Sequence, residues 1–442
     1  MDPTSVRPQA ARRASLALIA AFAVSPIAVA QGDPAPAPPP QDQGARLDRL
    51  EQENVELKRR VDVLAGELEE ERLGAVITPL GTGEHGLGPA ASKIYGAEQG
   101  VALGGYGELL FENFQGGGKR DQLDFLRAVL YVGYKFNEDW LFNSEIEFEH
   151  AQAGEGKGGE VALEFAYLDR LWREELNARA GLLLIPMGFL NELHEPTTFL
   201  SAKRPGIERA ILPTTWRENG AGVWGEAGEF RYRTYVVNGF DATGFSAGGL
   251  RGGRQSGGQT LAEDFAWTGR LDWAATDEFT LGVSAWYGDS GQDQSGVPDV
   301  ATAIWDAHAE WRWRGFQVRG LFVQAELDDV DDLNASLGLA GNQSVGEELE
   351  GWYVELGYDV LAALRPGTRQ SLVPFVRWET YDTQAEVPSG FSSNPANDVE
   401  IATFGVAYKP FDQVVFKLDY QDVDNDAGTG QDQINLALGY IF

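Results

Sequence analysis

Charged side chains at alternating positions are where this sequence concentrates its chemistry. Arg127, Arg179, Arg231, Arg233, Arg270, Arg312, Arg314 and Arg377 fall on the polar side of period-two segments, and the stretch 187–216 adds Lys203, Arg204, Arg209 and Arg217. A row of such cations lets an anion pass by replacing its lost hydration with charge-assisted hydrogen bonds. Acids share the same faces. Glu145, Glu147 and Glu149 lie on one segment, Asp306, Glu310, Glu355 and Glu379 on others, and Glu195 and Glu208 in the long stretch. The competing reading is mutual ion pairing across neighbouring strands, which holds a wall rigid and sets only a field.

Other chemistries are thinly supplied. There is no cysteine, which excludes disulfides, thiol nucleophiles and iron–sulfur sites, and four histidines leave little room for zinc. A weak match to a calcium loop runs through Asp422, Asp424 and Asp426, but Ala427 stands where Gly is needed and no Glu follows at the twelfth position. Residues 326–350 carry eight acids and no base, and read as a solvated loop. His150 and His308 lie in strand-like segments with no serine motif beside them, so no enzyme and no cofactor is expected. A net charge of -32, from 67 acids against 35 bases, argues against nucleic acid as a partner.

The elements that must position these residues are strands. Over 304–314, Trp305, Ala307, Ala309, Trp311 and Trp313 alternate with Asp306, His308, Glu310, Arg312 and Arg314. The segments 264–273 and 352–360 repeat the pattern. An apolar face facing lipid and a charged face facing a lumen fit this alternation. Counting such runs from residue 99 to 442 gives about sixteen strands. Their connections alternate between short turns, such as Asn137-Glu138-Asp139 and Ala227-Gly228-Glu229, and long loops at 187–216, 240–262, 288–300, 328–349 and 383–398. The expected fold is therefore all-β, a sixteen-stranded antiparallel transmembrane barrel with short turns on the periplasmic side. The last strand alternates Ile434, Leu436, Leu438, Tyr440 and Phe442 with polar or small residues. A terminal aromatic there resembles the signal read by barrel-assembly machinery.

The first hundred residues read differently. Arg7, Arg12 and Arg13 precede an apolar run, Leu16 to Val24, and Ala28-Val29-Ala30, a signal peptide with cleavage expected near Ala30. Residues 31–44 form a Pro-rich linker. Leu47, Leu50, Asn54, Leu57, Val61, Leu64 and Leu68 then make an a/d seam within a coiled coil over 45–73. Residues 74–98 are read as a linker into the barrel.

The stretch from Gly181 to Gly225 resembles the phosphate-selective porin family (porins O and P) and its wider relatives. The resemblance is carried by Gly181-Leu182-Leu183-Leu184-Ile185-Pro186-Met187-Gly188, His194-Glu195-Pro196, Lys203-Arg204-Pro205, Glu208-Arg209 and Pro213-Thr214-Thr215-Trp216-Arg217-Glu218-Asn219-Gly220. It implies a homotrimer of barrels in a bacterial outer membrane, in contact with lipid and lipopolysaccharide, and a third long loop folded into the pore. On that resemblance 187–216 is the constriction, with Lys203, Arg204, Arg209, Arg217, Glu195 and Glu208 as its selectivity residues. The expected function is passive diffusion of small hydrophilic solutes or ions, general or weakly selective, with an anion or phosphate preference left open. The alternative is a structural barrel whose coiled coil tethers the envelope.

Overall fold

Alternation along the chain becomes sixteen antiparallel strands in the computed structural model, which describes residues 49–63, 80–81, 83–152, 154, 156 and 158–442. The signal peptide, the Pro-rich linker and the seam residues Leu47, Leu64 and Leu68 lie outside the described residues. Two units divide at Glu67 and Leu68. The described part of the first is a helix, α1, over 49–63, along which Leu50, Leu57 and Val61 are exposed.

The second unit holds the barrel. Its strands are β1 (Gly100–Phe114), β2 (Gln122–Lys135), β3 (Trp140–Glu149), β4 (Val161–Arg173), β5 (Leu176–Leu184), β6 (Arg217–Ala227), β7 (Phe230–Asn238) and β8 (Phe265–Thr276). They continue with β9 (Phe279–Asp289), β10 (Ala301–Trp313), β11 (Phe316–Leu327), β12 (Glu348–Tyr358), β13 (Ser371–Glu386), β14 (Asp398–Phe411), β15 (Val414–Asn425) and β16 (Gln433–Ile441). Each strand pairs with its sequence neighbours, and β1 pairs with β16, so the sheet closes and leaves no edge. Short helices α2 (Ile207–Ala210), α3 (Val330–Leu337) and α4 (Val360–Leu364) sit in connections. No described helix is long and apolar enough to cross a membrane.

The closing seam shows how sequence sets register. Phe442 and Gly105 exchange both backbone hydrogen bonds, at 2.9 and 3.1 Å. A Cβ on Gly105 would strike Phe442, and one on Gly107 would strike Tyr440, so both glycines let terminal aromatics lie flat on the barrel.

Side chains alternate as the pattern requires. On β10, Trp305 is 42 % exposed while its neighbour Asp306 is fully buried. The outward band includes Trp267, Leu271, Val283, Trp352, Val354, Leu356, Phe404 and Leu418, all exposed apolar residues. Val283, near the middle of β9, is a direct probe. Val283→Arg is expected to lower stability in lipid by about 2–4 kcal/mol, as judged by reversible unfolding into vesicles.

A sixteen-stranded barrel has room for water, yet most inward side chains here are buried. Two segments cover them. Residues 83–99, read from sequence as part of a linker, pack against the inner wall near the short-turn end. Added Cβ atoms on Gly104 and Gly133 would meet Ala90 and Ile94, and Asn143 donates to the Ala91 carbonyl at 2.9 Å. The second segment is the third long loop, 185–216, which crosses the lumen from β5 and β6 to the opposite wall.

Candidate functional site

A buried loop needs a partner for every backbone polar group, since no water replaces a lost bond. Much of the wall's charge is used for this. At the neck, Asn191 donates to the carbonyls of Ile185 and Trp216 at 2.7 and 2.8 Å and accepts from the Trp216 amide at 2.7 Å. Along the loop, Asp306 accepts from the Gly188 amide, Arg270 donates to the Gly188 carbonyl, and Arg319 donates to the Thr198 carbonyl. Farther on, Lys409 binds the Thr197 carbonyl and Lys417 the Ser201 carbonyl, while Asp419 and Glu379 accept the amides of Ala202 and Gly206. The wall is a receptor for the loop.

Ion pairing uses much of the remainder. Arg127 lies 3.4 Å from both Glu108 and Glu147, and Arg233 pairs with Glu192 and Asp272. Arg270 pairs with Asp272, and Arg377 lies near Glu355 and Glu379. Arg179 grips Asp169 through two hydrogen bonds of 2.8 and 3.0 Å and stacks on Tyr167. Arg231 and Arg312 are half-exposed at the short-turn end, against Glu226 and Glu310, and are not mid-wall groups. Arg314 occupies a turn beside Trp313. Removing Asp169 leaves a buried guanidinium with, among the described residues, the Tyr95 hydroxyl as its hydrogen-bond partner and the Tyr167 and Trp224 rings beside it. Asp169→Ala is expected to cost about 3–5 kcal/mol of stability, measurable by chemical unfolding in detergent.

The loop residues divide by role. Glu195 is buried and accepts the amides of Ala90 and Ala91 at 2.9 and 3.0 Å, so it ties the loop to residues 83–99. Burial pushes its carboxyl up to about 7, against those amides, which pull it down. Glu208 is also buried, accepting the amides of Phe189 and Leu190 and the Tyr353 hydroxyl. Burial raises its carboxyl too. Both hold the loop's shape and neither lines open space. Arg217 is buried at the start of β6, 3.8 Å from Glu164.

Lys203, Arg204 and Arg209 face a cavity of about 1010 Å³ on the long-loop side of the barrel, also lined by Lys119, Arg127, Glu108, Glu112, Glu149, Glu379 and Arg251. Lys203 is paired with Glu112 at 2.7 Å. Among the described residues, Arg204, Arg209 and Arg251 have no carboxylate within ion-pair distance, and buried guanidinium nitrogens of Arg204 and Arg251 lack any hydrogen-bond acceptor. Burial, then the guanidinium groups of Arg254, Arg209 and Arg204, push Arg251 down to about 9. It stays cationic at neutral pH. Arg254 stands behind it, donating to the carbonyls of Pro213 and Thr215 at 3.2 and 2.9 Å.

Sequence reading missed Arg251 and Arg254. The available signal was two arginines against the single acid Asp241 in the glycine-rich stretch 240–262. It also missed a buried group in which Glu145, Glu164 and His194 converge. Asp422, Asp424 and Asp426 are exposed, the first two on the outward side of β15. Trp216, Phe240 and Trp286 pack together in the interior with ring centroids 4.6–5.7 Å apart, as core.

No family model matches the chain. A protein of Aquifex aeolicus (strain VF5), described as uncharacterized, is 38% identical over 368 residues, covering 81% of this chain and 83% of that one. Among solved structures, the Salmonella typhi OmpF barrel is similar at TM-score 0.53 and 12% identity, over 78% of this chain and 98% of that one. A loop-deleted OmpT of Vibrio cholerae, an outer membrane protein, matches at TM-score 0.51 and 11% identity, over 78% and 100%. An anion-selective porin from Comamonas acidovorans matches at TM-score 0.50 and 12% identity, also over 78% and 100%. These likenesses show the fold.

Proposed function

We propose that this chain, which belongs to one family with the Aquifex aeolicus protein, is an outer-membrane diffusion channel for small anions. The observation that carries the reading is the set of Arg204, Arg209 and Arg251 guanidinium groups facing the long-loop cavity without carboxylate partners. Charge-assisted donors lining such a cavity replace part of an anion's hydration shell as it enters. The paired wall arginines cannot do this, because their charge is already neutralised at close range. The motif resemblance makes inorganic phosphate the first anion to try.

Other parts follow from the same reading. The exposed seam of α1 brings barrels together as a homotrimer in an outer membrane, with lipid and lipopolysaccharide around them. Replacing Leu50, Leu57 and Val61 together by serine is expected to shift the detergent-solubilised protein from trimer toward monomer, as read by native mass spectrometry. The filled interior favours a second reading, a structural barrel in which the coiled coil does the work. Flux separates the two. Proteoliposomes carrying the protein are expected to admit chloride and phosphate faster than cations of similar size. Liposomes no leakier than empty ones would leave the structural reading.

A further inference from the structure

His194 stands at the centre of a buried group that anion passage does not use. Its ring meets the Asn191 carbonyl through Nδ1 at 2.9 Å. A carbonyl only accepts, so Nδ1 carries hydrogen and Nε2 faces the other way. There it meets Glu145 Oε1 at 3.0 Å and Glu164 Oε2 at 3.4 Å. All three side chains are at least 98% buried. A backbone carbonyl fixing Nδ1–H while Nε2 points at carboxylates is the orientation that metal-binding histidines adopt.

Glu164 adds an independent observation. Neither of its oxygens has a donor at good hydrogen-bond geometry, although the side chain is only 1% exposed, and the group beside it is another carboxyl, Glu147. The nearest cations, His194 at 3.4 Å and Arg217 at 3.8 Å, are within ion-pair range but make no hydrogen bond to it. A buried carboxylate without donors is costly. The other buried histidine provides a contrast. His308 also bridges two carboxylates, Asp306 and Asp272, but those acids collect further donors from Gly188, Ser284, Arg233 and Arg270. That site is saturated, and the His194 site is not.

We infer that His194, Glu145 and Glu164 bind a divalent transition ion of the zinc class, fastening the lumen-crossing loop to β3 and β4. The donor set, one imidazole and two carboxylates, is one that zinc takes. Ligand atoms around a tetrahedral zinc at about 2.0–2.2 Å stand roughly 3.3–3.6 Å apart; His194 Nε2 lies 3.0 and 3.4 Å from the two carboxylates, and all three ligand atoms lie within 4.8 Å of one another. The ion would supply Glu164 with the partner it lacks, and two positive charges would match two carboxylates.

Because the site is buried, metal must be present as the barrel folds. The full chain would be refolded into detergent with zinc or cobalt(II), then freed of loose metal by gel filtration. The expected result is one ion retained per chain, cobalt absorption of four- or five-coordinate type, and a higher unfolding midpoint with zinc. His194→Gln and Glu164→Gln are each expected to weaken zinc binding by on the order of 100-fold or more. Native protein that retains no metal, or a His194→Gln variant that keeps full stoichiometry, would overturn the inference. If the variants fail to fold, the native cobalt spectrum decides: six-coordinate, water-like absorption overturns it.

Discussion

Replacing Arg204, Arg209 and Arg251 together by glutamate is expected to reverse the ion preference of the channel. The reversal potential in a KCl gradient should cross zero from the anion to the cation side. The size of the effect follows from where the charges sit. All three line one cavity of about 1010 Å³, and no carboxylate within ion-pair distance offsets them among the described residues. Exchange turns three positive charges into three negative ones within a space comparable to the Debye length, about 8 Å at physiological salt. Glu108, Glu112, Glu149 and Glu379 line the same cavity and would then dominate it. Arg312→Gln is the control. That side chain is half-exposed at the opposite end and paired with Glu310, so the potential should barely move.

Excising the lumen-crossing loop is expected to raise single-channel conductance roughly severalfold, because a sixteen-stranded wall without its filling encloses an aqueous pore. A short glycine–serine bridge in place of residues 188–214 would join β5 to β6. The wall groups that now hold the loop, among them Arg377, Lys417, Asp419 and Glu379, face the lumen and would return to water. They would not become buried and unpartnered, so the barrel should still close through the β1–β16 pairing. Unchanged conductance would mean that residues 83–99, and not the loop, limit the path.

The strands were legible because strand formation here is a local matter. Alternation over 304–314 places Trp305 on the outer face of the barrel and Asp306 inside whatever the rest of the chain does. Short and long connections also identified the third loop, and the structure puts that loop in the lumen. Its occupants' roles were not legible. Glu195 and Glu208 carry the same charge as Glu149, which lines the cavity, but they serve the amides of Ala90, Ala91, Phe189 and Leu190. That difference depends on contacts spanning from about twenty to about a hundred residues, and no spacing rule encodes it. The wall arginines show the same limit. Parity placed Arg179 and Arg377 inside, but only the register opposite Asp169 and Glu355 shows that they are paired. Residues 83–99 were missed because their small apolar side chains, Ala90, Ala91 and Ala97, carry no periodic signal.

The most direct test of anion selectivity set by the loop arginines is the reversal potential of the native protein in a planar bilayer under a KCl gradient. Discrete open steps with a potential on the anion side of zero are expected. A potential on the cation side, or a membrane that stays silent, would contradict it.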